Sequence, residues 1–361
     1  MIRTASLTGL LALVSAATCA ARRLPLGDAE RGREVFRTQR CGDCHGVNRE
    51  GGTTAPDLAE VIDRGFTPSD MAALLWNHSP VMWRALEQRG IARPELSRQQ
   101  VADLFVYFYA ARYFERPGNA RRGERVFRSD KCGQCHANGD LQSWRSLDHP
   151  VLLAHKMWRH PRSEILSHRT AQDLADMLVY LRSSAGTPDR TSFIPGSPEE
   201  GRRLFARARC DDCHAGSRAL EGRPTRYTLN DFAAAFWNHP QPLPPEASPL
   251  SREEMRRLAG YLLSIQFLDE HGDAGAGKQL FKKRGCVNCH ENPSGQTPSR
   301  SDMAGSMTSY DLMAAIWKHG PAMNAAMRQK NISWPRLSGP EMADLGAYLH
   351  GYEFKRRVSL P

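Results

Sequence analysis

The chain has 361 residues, with 49 Lys+Arg against 39 Asp+Glu and a formal charge of +10. Hydrophobic residues at 40% and aromatics at 8% exclude a disordered chain, and the length suits about two to four domains. Charge alone points to nucleic acid, an acidic membrane face or an acidic protein partner.

The N-terminus has a basic start at Arg3 and an apolar run from Leu7 to Ala17. It then closes on small residues, Ala-Thr-Cys-Ala, before Arg22-Arg23. This pattern predicts a secretory signal over residues 1–20, cut after Ala17 or Ala20, and a periplasmic or extracellular location. A lipid anchor at Cys19 is the alternative and would make the protein membrane-associated; Thr18 fits the small-residue slot before it poorly. No later stretch approaches the ~18 apolar residues of a span, so no transmembrane segment is expected.

Four similar units follow. Unit one (24–117) opens with a short helix carrying Gly32 and Phe36, nine and five residues before Cys41 in Cys41-Gly-Asp-Cys44-His45. Thr67-x-x-Asp70 reads as the capping box of a middle helix. That helix runs through Met71, Leu74 and Leu75 and ends at Trp76-Asn-His78, with Pro80 and Met82 in the loop beyond. A last helix pairs Leu104 with Tyr107 on one face.

The link Glu115-Arg-Pro-Gly-Asn leads to unit two (118–186), with Gly123, Phe127 and Cys132-Gly-Gln-Cys135-His136. It lacks the Thr-x-x-Asp start. Its middle helix is expected to begin near Asp148 and Pro150, run through Leu153 and Met157, and end at Trp158-Arg-His160; Met177 and Tyr180 mark the last helix. His149, His155 and His168 are additional histidines of this unit, and one of them is an alternative to His160.

Unit three (187–268) is entered through a Gly-, Pro- and Ser-rich stretch. It carries Gly201, Phe205, Cys210-Asp-Asp-Cys213-His214, the Thr228/Asp231 box, Phe232, Phe236, Trp237 and His239, then Leu258 and Tyr261. Unit four (269–361) carries Gly277, Phe281, Cys286-Val-Asn-Cys289-His290, the Thr308/Asp311 box, Leu312, Ala315, Ile316, Trp317 and His319, Met323 in the following loop, then Leu345 and Tyr348. No strand pattern of useful length appears, so the fold class is mainly α.

Eight of the nine cysteines fall in these four Cys-x-x-Cys-His motifs, which start 91, 78 and 76 residues apart. Disulfides, zinc knuckles and redox Cys-x-x-Cys pairs each account for paired cysteines. None accounts for a His after the second Cys all four times. Haem c attachment does: two thiols add to the haem vinyl groups, and the His is placed to bind iron from the proximal side.

The Gly/Phe helix, the Cys-x-x-Cys-His turn, the middle helix and the Tyr-bearing last helix together resemble class I cytochrome c, over nearly all of residues 28–355. The resemblance implies four tandem helical domains, each wrapped around one covalently attached haem, with haem carried by Cys41, Cys44, Cys132, Cys135, Cys210, Cys213, Cys286 and Cys289, and iron bound by His45, His136, His214 and His290. It also implies export before haem attachment.

The sixth ligand has two readings. The resemblance implies a Met in the loop before the last helix, which Met82 and Met323 supply in units one and four and which units two and three lack. Helical periodicity gives the other: Met71, Leu74, Leu75 and His78 run i, i+3, i+4, i+7, and His160, His239 and His319 continue their own stripes in the same way. A single such His reads as a core residue; four at one position beside a metal read as ligands. Four bis-His haems are expected. The rival is His/Met ligation in units one and four, which raises their potentials relative to the other two.

Met82 to Ser97 and Met323 to Ser338 align without gaps, so the outer units are expected to be complete haem crevices and the inner two trimmed and packed between neighbours. The function expected is an exported tetrahaem cytochrome that passes electrons between partner proteins, other cytochromes or a membrane oxidoreductase. The alternatives are a cytochrome subunit of a larger oxidoreductase, or a multihaem peroxidase or reductase with one open haem site. Loss of Arg3 with the signal leaves a charge of about +9. Four haems with ionised propionates bring it to about +5 oxidised or +1 reduced. The basic composition then serves acidic cofactors, and no nucleic acid is expected.

Overall fold

The computed structural model describes residues 25–60, 66–111, 117–136, 149–157, 168–184, 193–221, 227–239, 250–267, 272–291, 293, 297–303 and 308–358. The expected signal with Cys19, and Trp158 to His160, lie outside them. The fold is mainly helical. Unit one holds α1 (Ala29–Thr38), α2 (Pro68–Gln88) and α3 (Arg98–Ala110). Unit two holds α4 (Ala120–Ser129), α5 (Pro150–Met157) and α6 (Ala171–Ser184). Unit three holds α7 (Pro198–Arg207), α8 (Leu229–Trp237) and α9 (Arg252–Ser264). Unit four holds α10 (Ala274–Lys283), the single turns α11 (Val287–His290) and α12 (Arg300–Met303), then α13 (Ser309–Gln329) and α14 (Gly339–Val358). Among the described residues the strands are β1 (Gly46–Val47) and β2 (Glu50–Gly51), one antiparallel pair.

In every unit the first helix crosses the last: α1 on α3, α4 on α6, α7 on α9, α10 on α14. The repeated glycine is what lets them approach. A β-carbon on Gly32 would stand 2.1 Å from the Asp103 carbonyl oxygen, and one on Gly123, Gly201 or Gly277 would stand 2.0 Å from the carbonyl of Asp176, Arg257 or Asp344. Beside each crossing the repeated Phe meets the repeated Tyr. Ring centroids are 5.9 Å apart for Phe36–Tyr107, 5.5 Å for Phe127–Tyr180, 5.5 Å for Phe205–Tyr261 and 5.6 Å for Phe281–Tyr348. Tilted aromatic pairs of this kind contribute about 0.5–1.5 kcal/mol beyond the area they bury.

An ion pair fastens the same crossing. Arg31 reaches Asp103 at 3.0 Å and Arg122 reaches Asp176 at 2.6 Å, with both aspartates buried. Unit three reverses the charges, Arg257 on the last helix meeting Glu200 on the first at 2.8 Å. Unit four has Ala276 at the cationic position, and there Asp344 accepts from the Asp273 backbone N–H at 2.7 Å.

The middle helices begin where the sequence places them. Thr67/Asp70, Thr228/Asp231 and Thr308/Asp311 each form a reciprocal capping box, and α5 starts at Pro150. Their ends differ from expectation. α2 and α13 do not stop at His78 and His319 but continue to Gln88 and Gln329, through Pro80 and Pro321. Met82 and Met323 therefore sit inside helices, not in loops. Besides the stripe that ends at His78, α2 has a buried face made of Ser69, Ala72, Ala73, Ser79 and Trp83, which is turned toward another unit.

That other unit is not a chain neighbour. α2 packs on α13, with α14 on α2 and α3 on α13; α5 packs on α8, with α6 on α8 and α5 on α9. Units one and four pair, and units two and three pair, in the same reciprocal manner. Ser69 and Ser309 share a buried hydrogen bond of 2.9 Å where α2 meets α13. The inner units pack on each other, and unit three also meets unit one. The segment common to units one and four exists because these two share an interface: Trp83, Ile316 and Trp317 form its buried centre, ringed by Trp76, Met82, Leu86, Leu96 and Trp334. The pairs touch through units one and three, where Phe267 lies 4.8 Å from Phe105 and 4.5 Å from Tyr109, and the Ser264 hydroxyl donates to the Gly27 carbonyl at 2.6 Å.

Candidate metal centres

The four Cys-x-x-Cys-His segments adopt one geometry. The residue before the first Cys is left-handed each time: Arg40 (φ 60°), Lys131 (55°), Arg209 (55°) and Gly285 (76°). A residue with a β-carbon is held there at a cost of about 1–2 kcal/mol. Arg40 and Arg209 offset this by pairing across the turn with Asp43 at 2.7 Å and Asp212 at 2.6 Å. The His backbone N–H donates to the carbonyl of the first Cys, at 3.0 Å for His45, 2.9 Å for His136, 2.9 Å for His214 and 3.0 Å for His290. The turn therefore projects both thiols and the imidazole from a single backbone loop.

None of the eight motif cysteines is in a disulfide. Burial pushes the Cys41, Cys132 and Cys210 thiols up to about 11 and raises that of Cys286. Among the described residues no three His, Cys, Asp or Glu side chains converge on a point able to hold a bare metal ion, as a structural zinc would require.

The imidazoles are oriented for ligation through Nε2. Nδ1–H of His45 donates to the Pro56 carbonyl at 2.8 Å, that of His290 to Pro298 at 2.8 Å, and that of His214 to Arg218 at 3.4 Å. A carbonyl only accepts, so this bond fixes the tautomer and leaves Nε2 unprotonated, the usual outer support of a metal-bound His.

Across from two of these rings stands the middle-helix His. His45 and His78 have centroids 6.5 Å apart at 62°, and His214 and His239 have centroids 6.0 Å apart at 59°. Two imidazoles sharing one metal, each bonded at about 2 Å, place their centroids about 6 Å apart. The residues present therefore fit an iron whose remaining ligands come from a porphyrin plane. The protein packed around His78, and then the neighbouring His45, push the His78 imidazole below its ordinary value, which favours the neutral form a ligand needs.

The other sequence-predicted ligands are placed differently. His319 is exposed, and among the described residues it makes no ring contact with His290. Met82 packs against the tryptophan cluster between units one and four, and Met323 is half-buried one turn beyond His319. In unit two, Nδ1 of buried His149 accepts from the Val151 N–H at 3.1 Å and so caps α5, and His155 Nε2 donates to the Leu250 carbonyl of unit three. Both are occupied away from His136, and His168 is exposed.

Residues 29–108 match the family model for cytochrome c. This cytochrome c domain spans α1 to α3 and contains Cys41, Cys44, His45, His78 and Met82. A cytochrome c domain implies covalently bound haem c and haem-based electron transfer, in exchange with redox partners. No curated protein and no solved structure matches the chain. No helix among the described residues is long and apolar enough to cross a membrane.

Sequence reading missed three supports of these centres. A second glycine precedes each motif by fourteen residues (Gly27, Gly118, Gly196, Gly272) and again meets the last helix. A β-carbon on Gly27 or Gly118 would lie 2.3 Å from the carbonyl of Ala102 or Ala175. Its fourfold spacing was a readable signal. The charge-reversed ion pair of unit three was readable in the same alignment. Asn77 and Asn238, each just before a middle-helix His, gave no signal, because their partners lie far away in the chain.

Proposed function

We propose that the chain is an exported tetrahaem c-type cytochrome that carries electrons between redox partner proteins. One observation carries this reading. The crossing of first and last helix, the Phe–Tyr pair and the Cys-x-x-Cys-His turn recur in four units with nearly identical distances, and one of those units is the cytochrome c domain. The domains are assigned to 24–117, 118–186, 187–268 and 269–361. Haem is attached at Cys41/Cys44, Cys132/Cys135, Cys210/Cys213 and Cys286/Cys289, with His45, His136, His214 and His290 as proximal ligands.

His78 and His239 are the distal ligands of centres one and three, supported by the ring separations. His160 and His319 hold the same sequence position in centres two and four. Met82 and Met323 are the rival ligands of centres one and four. When bound, haem would supply the one-electron chemistry; the motif cysteines and histidines would hold it, and the choice of His or Met as second ligand would tune its potential. An iron held between two protein ligands has no open position for a substrate, which favours transfer over catalysis.

A redox titration followed by EPR on the mature protein tests this, with a haem count from the pyridine haemochromogen. Four haems, with low-spin bis-His signals for at least two, are expected. A count below four would overturn the tetrahaem reading, and an open high-spin centre that binds cyanide tightly would favour a reductase or peroxidase.

A further inference from the structure

The turn of α2 that carries His78 is gripped by unit four. Asn77 Nδ2 donates to the Leu337 carbonyl at 2.7 Å, and the Leu337 N–H donates to Asn77 Oδ1 at 2.9 Å. Trp76 Nε1 donates to the Pro335 carbonyl at 2.6 Å. Pro80 has no N–H to give Trp76, four residues back, and the freed Trp76 carbonyl accepts instead from Trp334 Nε1 at 2.9 Å. Four hydrogen bonds from residues 334–337 thus hold residues 76 and 77, immediately before His78.

The other pair repeats the grip. Asn238 Nδ2 donates to the Arg169 carbonyl at 2.7 Å, and the Arg169 N–H donates to Asn238 Oδ1 at 2.9 Å. Arg169 and Leu337 occupy one place, the residue before the first residue of the last-helix cap, Thr170 or Ser338. In the outer pair the grip runs one way. Unit four has Lys318 where units one and three have Asn, and Trp317 Nε1, the counterpart of Trp76 Nε1, is buried with no hydrogen-bond partner among the described residues. The two units with an asparagine are the two whose distal His faces the Cys-x-x-Cys-His imidazole.

We propose that Asn77 and Asn238 are positioning residues for His78 and His239, so that unit four holds the distal ligand of centre one and unit two holds that of centre three. This rests on the reading of His78 and His239 as iron ligands. In the outer pair, then, centre one is positioned by its partner and centre four is not.

The test uses the full holo-protein carrying Asn77→Ala, Asn77→Asp, Trp334→Phe, Asn238→Ala or Lys318→Ala, with His78→Ala as reference. EPR and cyanide titration are read centre by centre. Asn77→Ala and Asn77→Asp should perturb the same low-spin signal that His78→Ala removes. Cyanide affinity there should rise at least about tenfold, in the range seen when outer supports of a metal ligand are lost. Asn238→Ala should act on a different signal, and Lys318→Ala on none. Trp334→Phe removes one bond only and should shift the His78 signal in the same direction, which covers the case of Asn77 variants that fail to fold. If His78→Ala alters a signal that folded Asn77→Ala and Trp334→Phe leave untouched, the positioning role is overturned. If His78→Ala alters none, the ligand assignment itself fails. A change spread over all four centres would also overturn the proposal, since it would mark general loosening.

Discussion

A β-carbon on Gly32 would stand 2.7 Å from Cβ of Tyr107, closer than two such atoms ever come. Gly32 is thus the point where α1 and α3 touch backbone to backbone, one turn from the Phe36–Tyr107 ring pair. Gly32→Ala should force the helices apart and cost about 1–3 kcal/mol, read as a lowered denaturation midpoint of the holo-protein. Gly123→Ala, Gly201→Ala and Gly277→Ala should cost similar amounts, because the obstructing carbonyl lies within 0.1 Å of the same distance in each (2.0 Å against 2.1 Å). An unchanged midpoint would show that the crossing has slack the distances deny.

The reversed ion pair of unit three gives a second expectation. Glu200→Arg alone sets two cations together at the α7–α9 crossing, and Arg257→Asp alone sets two anions. The double variant restores the arrangement of Arg31–Asp103 and Arg122–Asp176. Because Arg257 and Glu200 are partly exposed, the coupling should be about 0.2–1 kcal/mol, with the double variant more stable than either single one. A double-mutant cycle in urea measures it.

These two features mark what the sequence made legible. Gly32, Phe36 and Tyr107 recur at fixed offsets because contacts within a unit are reproduced with it. Helix type, the capping boxes and the common geometry of the Cys-x-x-Cys-His turns were readable for that reason. The ends of α2 and α13 were not. They were expected at His78 and His319, yet the helices continue, and the carbonyl that Pro80 leaves unpaired is taken by Trp334. The pairing of units was not readable either, apart from the gapless match of 82–97 with 323–338, since Asn77 and Leu337 are 260 residues apart.

Acid stability should depend on Asp176. Burial alone would raise its carboxyl, but hydrogen bonds from Arg122, Gln172 and the Asn119 N–H outweigh it and hold the group below the usual carboxylate value. A folded value below the unfolded one stabilises the fold above the unfolded carboxylate range, about 3.9. That contribution is lost as pH falls through the folded value. Asp176→Asn should be less stable than the parent at neutral pH, and the two should converge below about pH 4. Stability curves that stay parallel across this range would refute the assignment.

The interface of units one and four has its own tight point. A β-carbon on Gly320 would lie 2.3 Å from Cη2 of Trp83. Gly320→Ala should expose the tryptophan cluster, seen as a red shift in fluorescence, and Trp83→Phe in the same chain should reverse part of it by removing the obstructing ring edge.

Haem stoichiometry offers a direct count. Cys210→Ala with Cys213→Ala should lower the mass of the mature protein by one haem and leave three, with the EPR signal of His214 and His239 absent. Loss of more than one haem would mean that attachment in one domain depends on another.

The pairs are nested in the chain, two with three inside one with four. During synthesis the inner pair has all its parts once α9 has emerged. Unit one must wait, its Ser69, Trp76 and Trp83 surface unmatched, until α13 and residues 334–337 arrive more than two hundred residues later. Contacts of such separation form late and leave apolar surface open meanwhile. The order of assembly is therefore written into the connectivity: the inside closes first, and unit four completes unit one.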